Sequence, residues 1–215
     1  EFYLPDYSSK GLELTREVFG GTWFQACWSY EESKHGLAFR QYLTRSGMRS
    51  ESRFAEFEAD VFSRAWSLPF QTYRQMACYG ALQEAATYLA YKLQKDKAKN
   101  EGDTVLETIF SLISRDEAAH AGFYRAILAL EMSEDRAGTI TDLAHVISRF
   151  RMPGDGLIPD YQERLKMSGA GISTRFFLEH GVLPALKTLG TSRAELRFAL
   201  GKAPTDEEAT AYSAK

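Results

Sequence analysis

Apolar residues recur along this chain at three- and four-residue intervals, the period of helices with a buried face. Trp28, Glu32, His35 and Phe39 fall on one stripe, and Met76, Gly80, Glu84, Thr87 and Tyr91 on a second. Ile113, Glu117, His120 and Tyr124 form a third. No stretch shows the alternation of a strand, and there is no repeat of solenoid period. The pattern predicts an all-α chain. Residues 1–17 read as helix, followed by a break at Gly20-Gly21. Thr22 is the expected N-cap of a long helix to about Thr44, which Ser46-Gly47 ends. A shorter helix covers about 51–65. Leu68-Pro69 opens a long helix to about Lys97, whose lysine-rich end suits the helix dipole. After a turn at Asn100, Gly102 and Asp103, another long helix runs from about Thr104 to Glu131. A helix over about 135–150 stops at Met152-Pro153-Gly154-Asp155-Gly156, and helices near 158–167, 172–188 and 191–200 follow. The expected domain is a bundle over 1–203, with additional C-terminal helices and a polar tail at 204–215.

Composition narrows the function. The chain has 215 residues, enough for one substantial core. A formal charge of -3 argues against a general nucleic-acid binder. No apolar run approaches a membrane span, and the start Glu1-Phe2-Tyr3-Leu4-Pro5 lacks the marks of a signal peptide. Cys27 and Cys78 read as small core residues within helices, not as a disulfide pair. A reducing cytoplasm is therefore the expected setting, or the plastid stroma for a plant chain.

Acids inside the apolar stripes carry the chemical signal. Glu31-Glu32-Ser33-Lys34-His35 and Asp116-Glu117-Ala118-Ala119-His120 each hold a Glu-x-x-His pair, with Glu84 on the helix between them. Positions i and i+3 share a helix face, so each pair aims a carboxylate and an imidazole at one point. One such pair is weak evidence, because i,i+3 contacts are common on helix surfaces. Two pairs on separate long helices, with a lone Glu between, match the ligand order of bundles that hold two metal ions between helices. A buried unpaired carboxylate is costly, and a divalent cation compensates several at once. His145 and His180 lack acids at this spacing and read as structural or surface residues.

The chain resembles the soluble acyl-acyl carrier protein desaturases, the plastid stearoyl-type enzymes and their actinobacterial relatives. The resemblance lies in Glu31-Glu32-Ser33-Lys34-His35-Gly36, Gln83-Glu84-Ala85-Ala86-Thr87 and Asp116-Glu117-Ala118-Ala119-His120. The opening Glu1-Phe2-Tyr3-Leu4-Pro5-Asp6-Tyr7 is similar to the segment holding that family's first ligand, and Met152-Pro153 to a later Met-Pro. The likeness runs from residue 1 to about 175. Lys34 and Ala119 stand where the plant enzymes carry arginines that buttress the carboxylates. The family has a helical region before its first ligand, so residues upstream of Glu1 are expected.

The resemblance implies a ferritin-like bundle and an O2-dependent desaturase that sets a cis double bond into an acyl chain on acyl carrier protein. It implies two iron ions, with manganese the other suitable metal, held by Glu1, Glu32, His35, Glu84, Glu117 and His120. Glu32 and Glu117 are the implied bridges, and Glu1 and Glu84 the terminal ligands. Thr87 is the implied proton donor beside the oxygen site. Asp116 is the implied partner of a metal-bound imidazole. A ferredoxin-like electron donor and a homodimer follow from the same likeness. An apolar substrate tunnel is expected, with Phe39, Met76 and Tyr91 as candidates for its wall. The rival readings are another ferritin-like oxidase, such as a ribonucleotide reductase small subunit or an amine N-oxygenase, and a metal-storage or degenerate scaffold.

Overall fold

The computed structural model describes residues 1–169 and 171–201, and the expected tail at 204–215 lies outside them. The described residues are helical and contain no strand. The bundle is built from α1 (Leu4–Thr15), α2 (Phe19–Arg45), α3 (Glu51–Phe62), α4 (Tyr73–Glu101) and α5 (Thr104–Glu134). α6 (Arg136–Arg149) packs across α4 and α5. Shorter helices follow: α7 (Tyr161–Ser168), α8 (Thr174–Phe177), α9 (Leu183–Thr188) and α10 (Arg193–Leu200).

The α4–α5 hairpin is the backbone of the fold. Gly102 ends α4 in the left-handed conformation (φ 77°), which a residue with a Cβ adopts only with strain. The next residue, Asp103, caps α5, its Oδ1 accepting from the Leu106 N–H at 2.9 Å. Two residues thus turn the chain back and set the register of two long helices. Glu84 and Glu117 each lie about four to five turns from that hairpin, so they face each other. The two helices also approach closely at Gly80, where a Cβ would come within 2.7 Å of the Tyr124 ring. Tyr124 is buried, and its hydroxyl donates to Gln25 Oε1 on α2 at 3.3 Å.

Several boundaries differ from those expected. The break before α2 falls at Arg16–Val18, and Gly20-Gly21 lies inside α2. Thr22 is not an N-cap; its hydroxyl donates back to the carbonyls of Thr15 and Val18. Gly21 instead permits close approach, since a Cβ there would lie 3.1 Å from Tyr73 Oη. α4 begins at Tyr73 and not at Leu68-Pro69: Thr72 caps it by accepting from Gln75 N–H at 3.1 Å. Leu68 and Phe70 bury their side chains in the core from irregular backbone. The single helix expected over 172–188 contains a π-turn at Leu178–Val182. Pro184 has no N–H for the carbonyl four residues back, which explains the local change of pitch. Cys78 is buried as expected, but Cys27 is exposed. It lies on the outward side of α2 with Trp23 and Tyr30, which are 62% and 66% exposed.

Replacing Gly80 with alanine drives a methyl into the Tyr124 ring. Overpacking of about 1–3 kcal/mol outweighs the gain of about 1 kcal/mol that alanine brings to a helix. The middle of that range leaves a net loss of about 1 kcal/mol in urea unfolding, and about 2 kcal/mol at most. Unchanged stability would contradict this close contact.

Candidate metal centre

α1 and the turn before it, α2, α4 and α5 bring six side chains to one point in the bundle. Ligand atoms of Glu1, Glu32, His35 and Glu117 all lie within 4.8 Å of one another, and so do those of Glu32, Glu84, Glu117 and His120. Glu32 and Glu117 belong to both groups. Glu84 and Glu117 are fully buried, and Glu32, His35 and His120 nearly so; Glu1 is half-buried. The five residues selected by spacing and Glu1, implied by the family resemblance, are therefore in one cluster.

Each imidazole turns Nδ1 inward. His35 Nδ1 lies 3.4 Å from Glu117 and 3.7 Å from Glu32. His120 Nδ1 lies 3.2 Å from Glu32 and 3.6 Å from both Glu84 and Glu117. The outer nitrogens are held from the opposite helix. His120 Nε2 is 2.7 Å from Glu31 Oε2, and His35 Nε2 is 3.4 Å from Asp116 Oδ2. A carboxylate that accepts from Nε2–H leaves the Nδ1 lone pair facing the cluster. Asp116 was expected beside an imidazole. Glu31 was missed, although it occupies the same place in its motif, one residue before the Glu-x-x-His glutamate.

The acids are oriented as well. Trp28 Nε1 donates to Glu84 Oε1 at 2.9 Å, and the Tyr91 hydroxyl donates to Glu1 Oε1. The inward atoms have no such partner. Glu32 Oε1, Glu84 Oε2, both Glu117 oxygens and both imidazole Nδ1 atoms are buried without a hydrogen bond. Buried polar groups are rarely orphaned, and six aimed at one place fit a metal-binding pocket. Charge fits as well: four carboxylates and two neutral imidazoles balance two divalent cations. Lys34 does not supply that charge, because its Nζ lies 3.9 Å from Glu31 and 5.1 Å from the Tyr30 ring centre. Ala119, on the other motif, is exposed.

The cluster shifts its own proton affinities. Burial and the nearby Glu117 charge push the Glu84 carboxyl well above the usual range. Burial pushes Glu1 up to about 7. Burial also raises Glu32 and Glu117, but the groups close to them outweigh it and hold both below the usual value. For Glu32 these are His120 and His35; for Glu117, Glu84 and then the two imidazoles. Burial lowers His35, but Glu117 and Glu32 more than reverse this and hold it at about 10. His120 is raised too, by Glu117, Glu32 and Glu84 against its burial.

A cavity of about 260 Å³ adjoins the cluster. Glu1, Glu32 and Thr87 form one side of it, and Trp66, Met76 and Tyr79 are among its apolar lining. Met76 and Tyr91 line it as expected for a tunnel wall, but Phe39 does not. Phe39 packs instead against Tyr91 and Phe110, with ring centres 5.6 and 5.4 Å away. The Thr87 hydroxyl donates to the Gln83 carbonyl at 2.9 Å, and Gln83 Nε2 lies 3.3 Å from it.

A sequence profile described as fatty acid desaturase matches residues 4–168. The chain belongs to the acyl-acyl carrier protein desaturase family. Related desaturases include DesA1 of Mycobacterium tuberculosis, assigned by name as an acyl-[acyl-carrier-protein] desaturase. It is 27% identical over 198 residues, covering 86% of this chain and 56% of its own. The chloroplastic palmitoyl-[acyl-carrier-protein] 4-desaturase 2 of Ophrys arachnitiformis is 29% identical, with 70% of this chain and 42% of its own covered. The chloroplastic stearoyl-[acyl-carrier-protein] 9-desaturase 2 of Arabidopsis thaliana is 28% identical, over 70% and 39%. This desaturase-family chain thus spans about half the length of the curated relatives it matches.

The proton affinities of this family member predict how it takes up metal. At pH 7 His35, whose value is about 10, is protonated, and burial with the Glu117 charge raises the proton affinity of Glu84. A metal ion needs a neutral imidazole and a free carboxylate, so binding expels protons and tightens as pH rises. Calorimetric titration with Co2+ in two buffers of different ionisation heat should show release of more than one proton per chain. A heat independent of buffer would contradict the protonated cluster.

Proposed function

We propose that this protein is an O2-dependent acyl-acyl carrier protein desaturase with a dinuclear iron centre. The observation that carries the reading is the apolar cavity that shares Glu1 and Glu32 with the cluster and has Thr87 in its wall. It brings an unreactive methylene chain beside the metal ligands. In this reading Glu1, Glu32, His35, Glu84, Glu117 and His120 hold two ions, with Glu32 and Glu117 between them. The carboxylate and imidazole donors suit iron or manganese. Bound iron with dioxygen supplies the oxidising power for C–H cleavage, which side-chain acid–base chemistry lacks.

The chain's own groups do the rest. Trp66, Leu68, Met76 and Tyr79 exclude water and hold the acyl chain extended past the cluster. Met152 and Tyr161 line both this cavity and an adjacent groove of about 410 Å³, a route for the rest of the acyl carrier substrate. Thr87 moves a proton at its Oγ1, oriented by Gln83. Electrons from a ferredoxin-like donor reach His35 through Asp116, which is 25% exposed while the imidazole is buried. Among the described residues no helix is long and apolar enough to cross a membrane, which agrees with a substrate carried by protein.

The reading includes a homodimer. Trp23, Tyr30 and Leu37 form an exposed apolar stripe on α2, and Val105, Leu112 and Leu130 one on α5. A second copy of the same face covers them through a two-fold axis. Light scattering should find a particle of twice 24.3 kDa, and a stable single-chain mass would count against it.

The direct test supplies a panel of acyl carrier proteins with saturated chains, O2, ferredoxin and its reductase. Mass spectrometry should find products two hydrogens lighter. Thr87→Val should keep its iron and lose at least tenfold in rate, the size of one acid–base contribution. A fully iron-loaded protein that desaturates no chain would replace this reading with that of a metal-binding scaffold.

A further inference from the structure

The two ion positions are not built alike. One uses Glu84 and His120 beside the shared Glu32 and Glu117; the other uses Glu1 and His35 beside the same pair. Around the first, the donors not shared are fixed from outside. Trp28 Nε1 holds Glu84 at 2.9 Å, and Glu31 holds His120 at 2.7 Å. Both donors are buried, and each points one unpartnered atom inward. Around the second, the hold is looser. His35 lies 3.4 Å from Asp116, against 2.7 Å between His120 and Glu31. The Tyr91 hydroxyl donates to the Glu1 carboxylate and orients it from outside the cluster. Tyr7 also reaches Glu1, but donates to its backbone carbonyl at 2.9 Å, which leaves the carboxylate free to turn.

The Tyr91 ring has its own support. It packs 5.6 Å from Phe39 and 5.6 Å from Phe110, measured between ring centres. The phenol, carried by α4, is therefore held between rings of α2 and α5 before any ion arrives. A donor fixed in advance lowers the ordering cost of binding, and a free one must be ordered during it.

We propose that the two positions fill in order: a first divalent cation at Glu84 and His120, and a second at Glu1 and His35 whose retention depends on the Tyr91 hydroxyl. Tyr91 is thus a positioning residue for Glu1. The proposal rests on the reading of the cluster as a dinuclear metal centre.

Anaerobic titration of the metal-free protein with Co2+, followed by visible d–d absorption and metal analysis, tests it. The parent protein should take up two ions in two resolved steps. Tyr91→Phe keeps the three-ring cluster and removes only the hydroxyl. It should leave the first step unchanged, which also reports an intact fold. The second step should weaken roughly tenfold or more, as expected for losing a hydrogen bond to a charged group. His35→Ala should abolish the second step alone, and adding Tyr91→Phe to it should not alter the first. Two equal steps in the parent, or an unchanged second step in Tyr91→Phe, would overturn the proposal while leaving a dinuclear centre. A parent protein that binds no Co2+ would sink the metal-centre reading itself.

Discussion

Four carboxylates from Glu1, Glu32, Glu84 and Glu117 converge inside a helical core, and the rest of the site is arranged around that charge. An ionised acid moved out of water is costly unless opposite charge is close. The structure supplies two imidazoles at the centre and keeps Lys34 outside, near Glu31. Without metal, the cluster compensates by redistributing protons, which is why Glu84 and the two histidines hold them unusually strongly. Two divalent cations would remove the need for those protons. The electrostatics of the core therefore fit a metal-binding site, in a chain of the desaturase family.

Bringing the acids together requires helices whose register does not drift. The turn at Gly102 and Asp103 supplies this for α4 and α5, and the missing side chain of Gly80 lets them close around Tyr124. Gln25 then ties Tyr124 to α2. These contacts stand between the cluster and the core beneath it. The cavity appears beside the cluster because aromatic rings, too large to fill the space between helices without gaps, surround it from several elements.

Lys34 and Ala119 bring no guanidinium to the cluster, and the contacts around its imidazoles show a pattern. Glu31 of α2 grips His120 of α5, and Asp116 of α5 faces His35 of α2. The two motifs lock each other's imidazoles across the helix pair. This reciprocity orients the histidines from the surface side, with Glu31 40% exposed and Asp116 25%. Outer partners of metal ligands tune both orientation and basicity. In this chain that tuning comes from carboxylates near solvent, not from buried guanidinium groups.

The helices and the two Glu-x-x-His pairs were legible because they depend on local geometry. A three-residue spacing puts Glu32 with His35 and Glu117 with His120 whatever the rest of the fold does. Family motifs extended this to Glu1, Glu84, Thr87 and Asp116. Helix starts were less legible: Gly20-Gly21 reads as a break, yet both lie inside α2 and Gly21 admits Tyr73, a residue some fifty positions away. Cys27 and Phe39 sit on apolar stretches of α2, and periodicity alone does not say which side meets the cavity and which meets solvent. The pairings of Glu31 with His120, Trp28 with Glu84 and Tyr91 with Glu1 join separate segments of the chain. Sequence by itself determined which donors share a helix face, because that follows from the helical repeat. Only the tertiary structure decided which atoms hold those donors in place, because that depends on how far each helix slides and turns against its neighbours.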